Sequence, residues 1–136
     1  MKRALVIEDD ENNMKLITFI LEKNGYGAIR AENGKTGIEL ALKEKPDFIL
    51  LDIQLPDMDG LEVLKELRKS EINGNVPIIA ITSYAMSGDR SRLLEAGCSG
   101  YLEKPIDPVT IMNQIREITG EGRKGEGGRT RGRINE

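Results

Sequence analysis

Five short β-rich runs recur along the chain, at residues 4–7, 27–31, 48–51, 78–81 and, less apolar, 100–102. Between them the core-type positions fall at helical spacing: Met14, Ile17, Thr18 and Leu21, then Ile38, Ala41 and Leu42, then Leu61, Leu64 and Leu67. Leu93, Leu94 and Ala96 mark a fourth such segment, and Ile111, Ile115 and Ile118 a fifth. The runs Phe48-Ile49-Leu50-Leu51 and Ile78-Ile79-Ala80-Ile81 are continuously apolar. Continuity instead of alternation is the mark of a parallel strand covered by helices on both faces. The pattern predicts an α/β fold, a (βα)5 doubly wound parallel sheet. Helix starts are signalled at Asp59-Gly60-Leu61-Glu62, which has capping-box chemistry, and at Asp107-Pro108, a cap residue before a first-turn proline. Asn33 and Ser87 are the caps expected for the second and fourth helices, and Gly25, Gly74 and Gly97 the expected helix stops.

In such sheets ligands bind beyond the carboxyl ends of the strands. Strand one ends in Glu8-Asp9-Asp10, strand three in Asp52 and strand four in Thr82-Ser83, while Lys104-Pro105 follows strand five. Carboxylates converging on one rim repel one another and call for a cation. The chain has no histidine and a single cysteine, so that cation is expected to be hard and oxygen-loving, Mg²⁺ above all. Mg²⁺ on a few carboxylates keeps positions open for water and phosphate oxygens, which suits phosphoryl chemistry. Asp52, alone at the end of the central strand, is the candidate nucleophile, giving an aspartyl phosphate. Lys104 is placed to pair with one phosphate oxygen and Thr82 to bond another. Singly, each group has a plainer reading: an acidic first helical turn, a turn aspartate, a surface lysine. Their convergence at four strand ends favours the site.

The 136 residues suffice for one domain with one core, and 38% hydrophobic with 32% charged residues fits a water-soluble globular chain. The absence of histidine excludes Ser/His and Cys/His catalysis, histidine metal ligands and an internal phosphohistidine. One cysteine, Cys98, cannot form an intrachain disulfide and reads as a small buried residue. No apolar run approaches the roughly 20 residues of a membrane span. Met1-Lys2-Arg3 leads straight into the first strand with no signal-like stretch, so the expected location is the cytoplasm. Residues 1–118 carry 15 basic and 20 acidic side chains, whereas residues 119–136 carry five and three, with six of the 15 glycines. The acidic body does not invite nucleic acid, and residues 120–136 are expected to form a flexible Gly/Arg-rich tail, too short for a further folded domain.

The chain resembles the receiver domain of two-component response regulators. The resemblance rests on Leu5-Val6-Ile7-Glu8-Asp9-Asp10-Glu11-Asn12, on Pro46-Asp47-Phe48-Ile49-Leu50-Leu51-Asp52-Ile53-Gln54-Leu55-Pro56-Asp57-Met58-Asp59-Gly60, on Pro77-Ile78-Ile79-Ala80-Ile81-Thr82, and on Ala96-Gly97-Cys98-Ser99-Gly100-Tyr101-Leu102-Glu103-Lys104-Pro105. Together these span residues 1–119 in the family's order and spacing. The resemblance implies a flavodoxin-like fold with strand order 2-1-3-4-5 and a stand-alone receiver of chemotaxis type. It implies that Asp52 accepts a phosphoryl group from a phosphohistidine, that Glu8, Asp9, Asp52 and the Gln54 backbone carbonyl serve Mg²⁺, and that Thr82 and Lys104 meet the phosphoryl group. Tyr101 would be the switch aromatic that turns inward as Thr82 shifts, and the Lys104-Pro105 peptide would be cis.

The implied partners are a histidine kinase or histidine phosphotransfer protein, docking near Asn12-Asn13-Met14 and Ile106, and a downstream protein on helix four, strand five and helix five. The chain would be a monomer or a phosphorylation-dependent homodimer, with no membrane or nucleic-acid partner. A phosphorelay intermediate is an alternative. A Mg²⁺-dependent aspartyl-phosphate phosphohydrolase fits less well, because Gln54 stands where such enzymes place a second carboxylate. A phosphate-independent interaction module is disfavoured by the full set Asp9, Asp52, Thr82 and Lys104. Tyr84, two residues past Thr82, either restricts the path of a hydrolytic water or packs on the fourth helix. Gly34-Lys35-Thr36 looks like the end of a P-loop, but Ile29 stands where that motif needs glycine, and the segment leaves strand two, away from the acidic rim. Gly25-Tyr26-Gly27-Ala28-Ile29-Arg30 has two dinucleotide-fingerprint glycines but enters a strand instead of leaving one.

Overall fold

The structure is a computed structural model that describes residues 1–69, 75–83 and 87–120. The expected helix stop at Gly74, the side chain of Tyr84 and the tail beyond Gly120 lie outside the described residues, as does the side chain of Ser87. Strands and helices alternate as β1 (Arg3–Ile7), α1 (Glu11–Lys23), β2 (Gly27–Ala31), α2 (Gly34–Glu44), β3 (Phe48–Asp52), α3 (Gly60–Lys69), β4 (Ile78–Thr82), α4 (Ser87–Glu95), β5 (Gly100–Glu103) and α5 (Ile111–Thr119). The five strands are parallel, in the order β2-β1-β3-β4-β5. No described helix is long and apolar enough to cross a membrane.

The two faces of the sheet bury different halves of each strand, as the two-residue side-chain period requires. Ala4, Val6, Phe48, Leu50, Ile79 and Ile81 face α1 and α5, whose Met14, Ile17, Leu21, Ile111 and Ile115 cover them. Leu5, Ile7, Ile49, Leu51, Ile78 and Ala80 face α2, α3 and α4 through Ala41, Val63, Leu64, Leu67 and Leu93. Every residue of β3 and β4 is buried, which explains their unbroken apolar character.

Local signals set most boundaries. Asp10 caps α1 by accepting from the amides of Asn12 and Asn13, and Asn33 caps α2 through the Thr36 amide at 2.8 Å. The Asp59 carboxylate accepts from Leu61 N at 3.0 Å at the start of α3. Gly25 and Gly97 close α1 and α4 at positive φ. The start of α5 departs from expectation. Asp107 accepts from Val109 N at 2.9 Å, but residues 108–110 form a turn, and the helix begins at Ile111 with Thr110 as its cap residue. The Asp107 carbonyl takes the amides of both Thr110 and Ile111, so the aspartate organises this entry turn ahead of the regular helix.

At the end of the sheet away from the acidic rim, Arg68 of α3 draws three segments together. Its guanidinium donates to Val76 O at 2.7 Å, Gly97 O at 2.8 Å and Ser99 Oγ at 3.3 Å. Ser99 Oγ in turn accepts from Ile78 N at 3.1 Å.

Candidate functional site

The site grows from residues that end strands or directly follow them. Asp52 is the last residue of β3 and Thr82 the last of β4; both are buried. The ladders run on into the flanking loops: Glu8 N donates to Ala31 O, Ile53 N to Ile81 O and Lys104 N to Thr82 O, at 3.0, 3.1 and 2.8 Å. These bonds bring Glu8, Asp52, Thr82 and Lys104 to one rim. The Lys104-Pro105 peptide is cis, as the resemblance implied.

Lys104 Nζ lies 3.0 Å from Asp52 Oδ2, and Gln54 N donates to Asp52 Oδ1 at 2.9 Å. Both oxygens of the strand-end carboxylate are therefore oriented before any ligand arrives. Burial works against the Lys104 charge, but the Asp52 hydrogen bond and the charges of Asp52, Glu8 and Asp9 outweigh it and hold the ammonium above its ordinary pKa. It is a permanent cation at physiological pH.

Glu8, Asp9 and Asp52 each place a carboxylate oxygen within 4.8 Å of the others. Glu8 is almost wholly buried; its Oε2 accepts from Asp10 N at 3.1 Å, while Oε1 has no hydrogen-bond partner among the described residues. Burial, and after it the adjacent Asp52 carboxylate, push the Glu8 carboxyl up to about 8, against the opposing pull of the Asp10 amide and Lys104. A buried carboxylate oxygen without a donor, between two other carboxylates, fits a hard cation with oxygen ligands. Asp10, the remaining acid of the cluster, is turned to the α1 amides and serves the helix. An open cavity of about 160 Å³ adjoins Thr82 and Gln54, walled by Ile53, Leu61 and Leu93.

Glu8→Gln is expected to raise the thermal midpoint of the metal-free protein at pH 8 by a few degrees, because it removes the charged form that burial opposes. The same change should reduce the further rise on adding Mg²⁺ by at least half. Differential scanning calorimetry with and without Mg²⁺ separates the two effects. A lower metal-free midpoint would contradict the cost assigned to this carboxylate.

Tyr101 of β5 pairs with Ala80 in register and is half-buried against the α3–α4 face. One residue of the matching segment 46–60 is given no role by the sequence. Asp57, in the loop between β3 and α3, accepts from Gly34 N at 2.8 Å and Lys35 N at 3.0 Å, and those two bonds lower its pKa. The P-loop-like Gly34-Lys35 amides are thus taken by a carboxylate of the protein itself. The only sequence cue was an acid in a proline-led turn, which does not say which amides it will meet.

The response regulator receiver domain family matches residues 4–116. The polar-differentiation response regulator DivK of Brucella anthropi is 41% identical over 120 residues, 88% of this chain and 98% of its own length. Among solved structures, the receiver domain of the Pseudomonas aeruginosa sensor histidine kinase PA1611, with a magnesium ion coordinated in its active site cleft, superposes with a TM-score of 0.80. It is 33% identical and covers 88% of this chain and 98% of that one. A CheY-like response regulator receiver domain protein from Methanospirillum hungatei gives 0.82 at 31% identity, covering 92% and 98%.

Proposed function

Starting from the fact that this chain belongs to the response regulator receiver family, we propose that it takes a phosphoryl group from a partner's phosphohistidine onto Asp52 and signals by a phosphorylation-dependent change in protein binding. The observation that carries this reading is the buried Asp52 carboxylate, held by Lys104 at 3.0 Å beside Glu8 and Asp9. Glu8, Asp9, Asp52 and the Gln54 backbone carbonyl would hold Mg²⁺. Bound there, the ion would offset the charge that develops on the phosphoryl oxygens.

The chain's own groups divide the remaining work. A carboxylate oxygen of Asp52 attacks phosphorus as the P–N bond to the donor imidazole breaks, and the imidazole leaves with the electron pair and takes up a proton. Lys104 meets the added negative charge, and the Thr82 hydroxyl is drawn to a phosphoryl oxygen. Tyr101 then follows Thr82 inward, altering the face formed by α4, β5 and α5 that a downstream protein reads. These 136 residues hold no histidine, so the donor histidine lies outside them, on a histidine kinase or phosphotransfer module. The chain is a signalling domain; its phosphorylation and dephosphorylation chemistry acts on its own aspartate.

Incubation with acetyl phosphate and Mg²⁺ followed by intact-mass measurement tests the reading. A gain of about 80 Da, one phosphoryl group, is expected, and EDTA should abolish it. Release of inorganic phosphate without an adduct would favour hydrolytic turnover or very fast loss of phosphate from Asp52 itself. If neither an adduct nor released phosphate is found, the phosphoacceptor role is overturned.

A further inference from the structure

The loop that follows Asp52 is held at three points. The backbone bridge between Gln54 and Asp59 and the bond from Gly60 N to Ile53 O at 3.0 Å close it on itself. The third tie leaves the loop: both Asp57 carboxylate oxygens bind the first two amides of α2. Asn33, the cap of α2, spends its side chain on Thr36 N, so it does not compete for these two donors. The approach is close on both sides. A Cβ on Gly34 would stand 2.8 Å from Val63 Cγ2 and 3.1 Å from Met58 Sδ, so α2 begins hard against the residue after Asp57 and against α3. A carboxylate at a helix start is also favoured by the helix dipole.

From this arrangement we propose that Asp57 is a positioning residue for the phosphorylation site. It ties the loop carrying Gln54 to α2 and thereby fixes both the Gln54 amide on Asp52 and the Gln54 carbonyl offered to Mg²⁺. The proposal rests on the receiver reading above. Asp57 itself is exposed and its side chain bonds α2, not Asp52; it acts through the two intervening loop residues, Leu55 and Pro56.

The test is amide NMR on the full chain, following the Gln54 amide through a Mg²⁺ titration and measuring hydrogen exchange at Gly34 and Lys35. Asp57→Ala should speed exchange at those two amides at least tenfold and weaken Mg²⁺ binding about tenfold, the scale seen when an outer partner of a metal ligand is lost. Asp57→Asn keeps one acceptor oxygen and should weaken binding by about threefold. Asn33→Ala frays the same helix start at Thr36, yet should leave Mg²⁺ affinity within about twofold of wild type, which separates the loop tie from mere loss of α2 stability.

Unchanged Mg²⁺ affinity in Asp57→Ala despite faster exchange would overturn the proposal, as would equal weakening in Asn33→Ala. Should Asp57→Ala fail to fold, unchanged affinity in Asp57→Asn does the same. A wild-type chain with no saturable Mg²⁺ response at Gln54 overturns the Mg²⁺-dependent phosphoacceptor reading, and this proposal with it.

Discussion

Asp52→Ala protein mixed with acetyl phosphate and Mg²⁺ is expected to gain no phosphoryl mass while melting within about 5 °C of wild type. The loss of function follows from placement. Asp52 ends the central strand with its oxygens oriented by Gln54 N and Lys104. Glu8 is held by the Asp10 amide and has its pKa raised to about 8, and Asp9 is exposed to solvent. On the proposed reading, neither would replace Asp52 as nucleophile.

The mild effect on stability follows from two opposing terms. Removing Asp52 deprives Lys104 of its closest partner, which for a buried pair is costly. It also removes the carboxylate that opposes ionisation of Glu8, and that glutamate already feels the Lys104 charge. Lys104 keeps 18% of its side-chain surface in water, which limits the remaining cost. An adduct persisting in Asp52→Ala would move the acceptor elsewhere. A collapse of the melting temperature would mean that the Asp52–Lys104 pair is structural first.

Gly60→Ala is expected to be the most damaging single methyl addition near the site, costing about 3 kcal/mol. Its Cβ would stand 2.5 Å from Ile53 Cα and 2.6 Å from Ile53 O. Those are backbone atoms, so no rotamer change relieves the clash. The loop between β3 and α3 must open, breaking the Gly60 N to Ile53 O bond and shifting the residue adjacent to Asp52. Urea denaturation should show the loss, and Mg²⁺ titration should show weakened binding in the protein that remains folded. Gly25→Ala supplies the contrast. At φ +89° with open space around it, only backbone strain opposes the methyl group, and about 1 kcal/mol is expected with no change in Mg²⁺ affinity. Equal losses at the two glycines would refute the steric account of Gly60.

The strand-end residues were legible in the sequence because each is marked by the element it closes. Phe48 to Leu51 and Ile78 to Ile81 read as buried parallel strands, so Asp52 and Thr82 had to stand at the rim. Asp10 was less legible. A run of acids after β1 does not tell which carboxylate turns to the helix amides and which faces the neighbouring acids; that choice depends on backbone torsions at the junction. The entry to α5 was misplaced by three residues, because Asp107 before a proline signals a first turn equally well whether a helix or a separate turn follows. Asp57 and Arg68 were invisible for another reason. Asp57 acts on amides more than twenty residues away and Arg68 on carbonyls eight and twenty-nine residues away, and a backbone amide or carbonyl carries no residue signature to search for.

Arg68 makes α4 a lever with a fixed fulcrum. The guanidinium grips the carbonyl of Gly97, which terminates α4, together with the segments leading into β4 and β5. Thr82, where added charge on Asp52 would first be felt, lies at the opposite end of β4, next to the start of the same helix. A rod clamped at its tail answers a push at its head by swinging, and the displacement grows with distance from the clamp. Were added charge on Asp52 to move α4, its first turn would travel furthest and the buried Leu93 and Cys98 least.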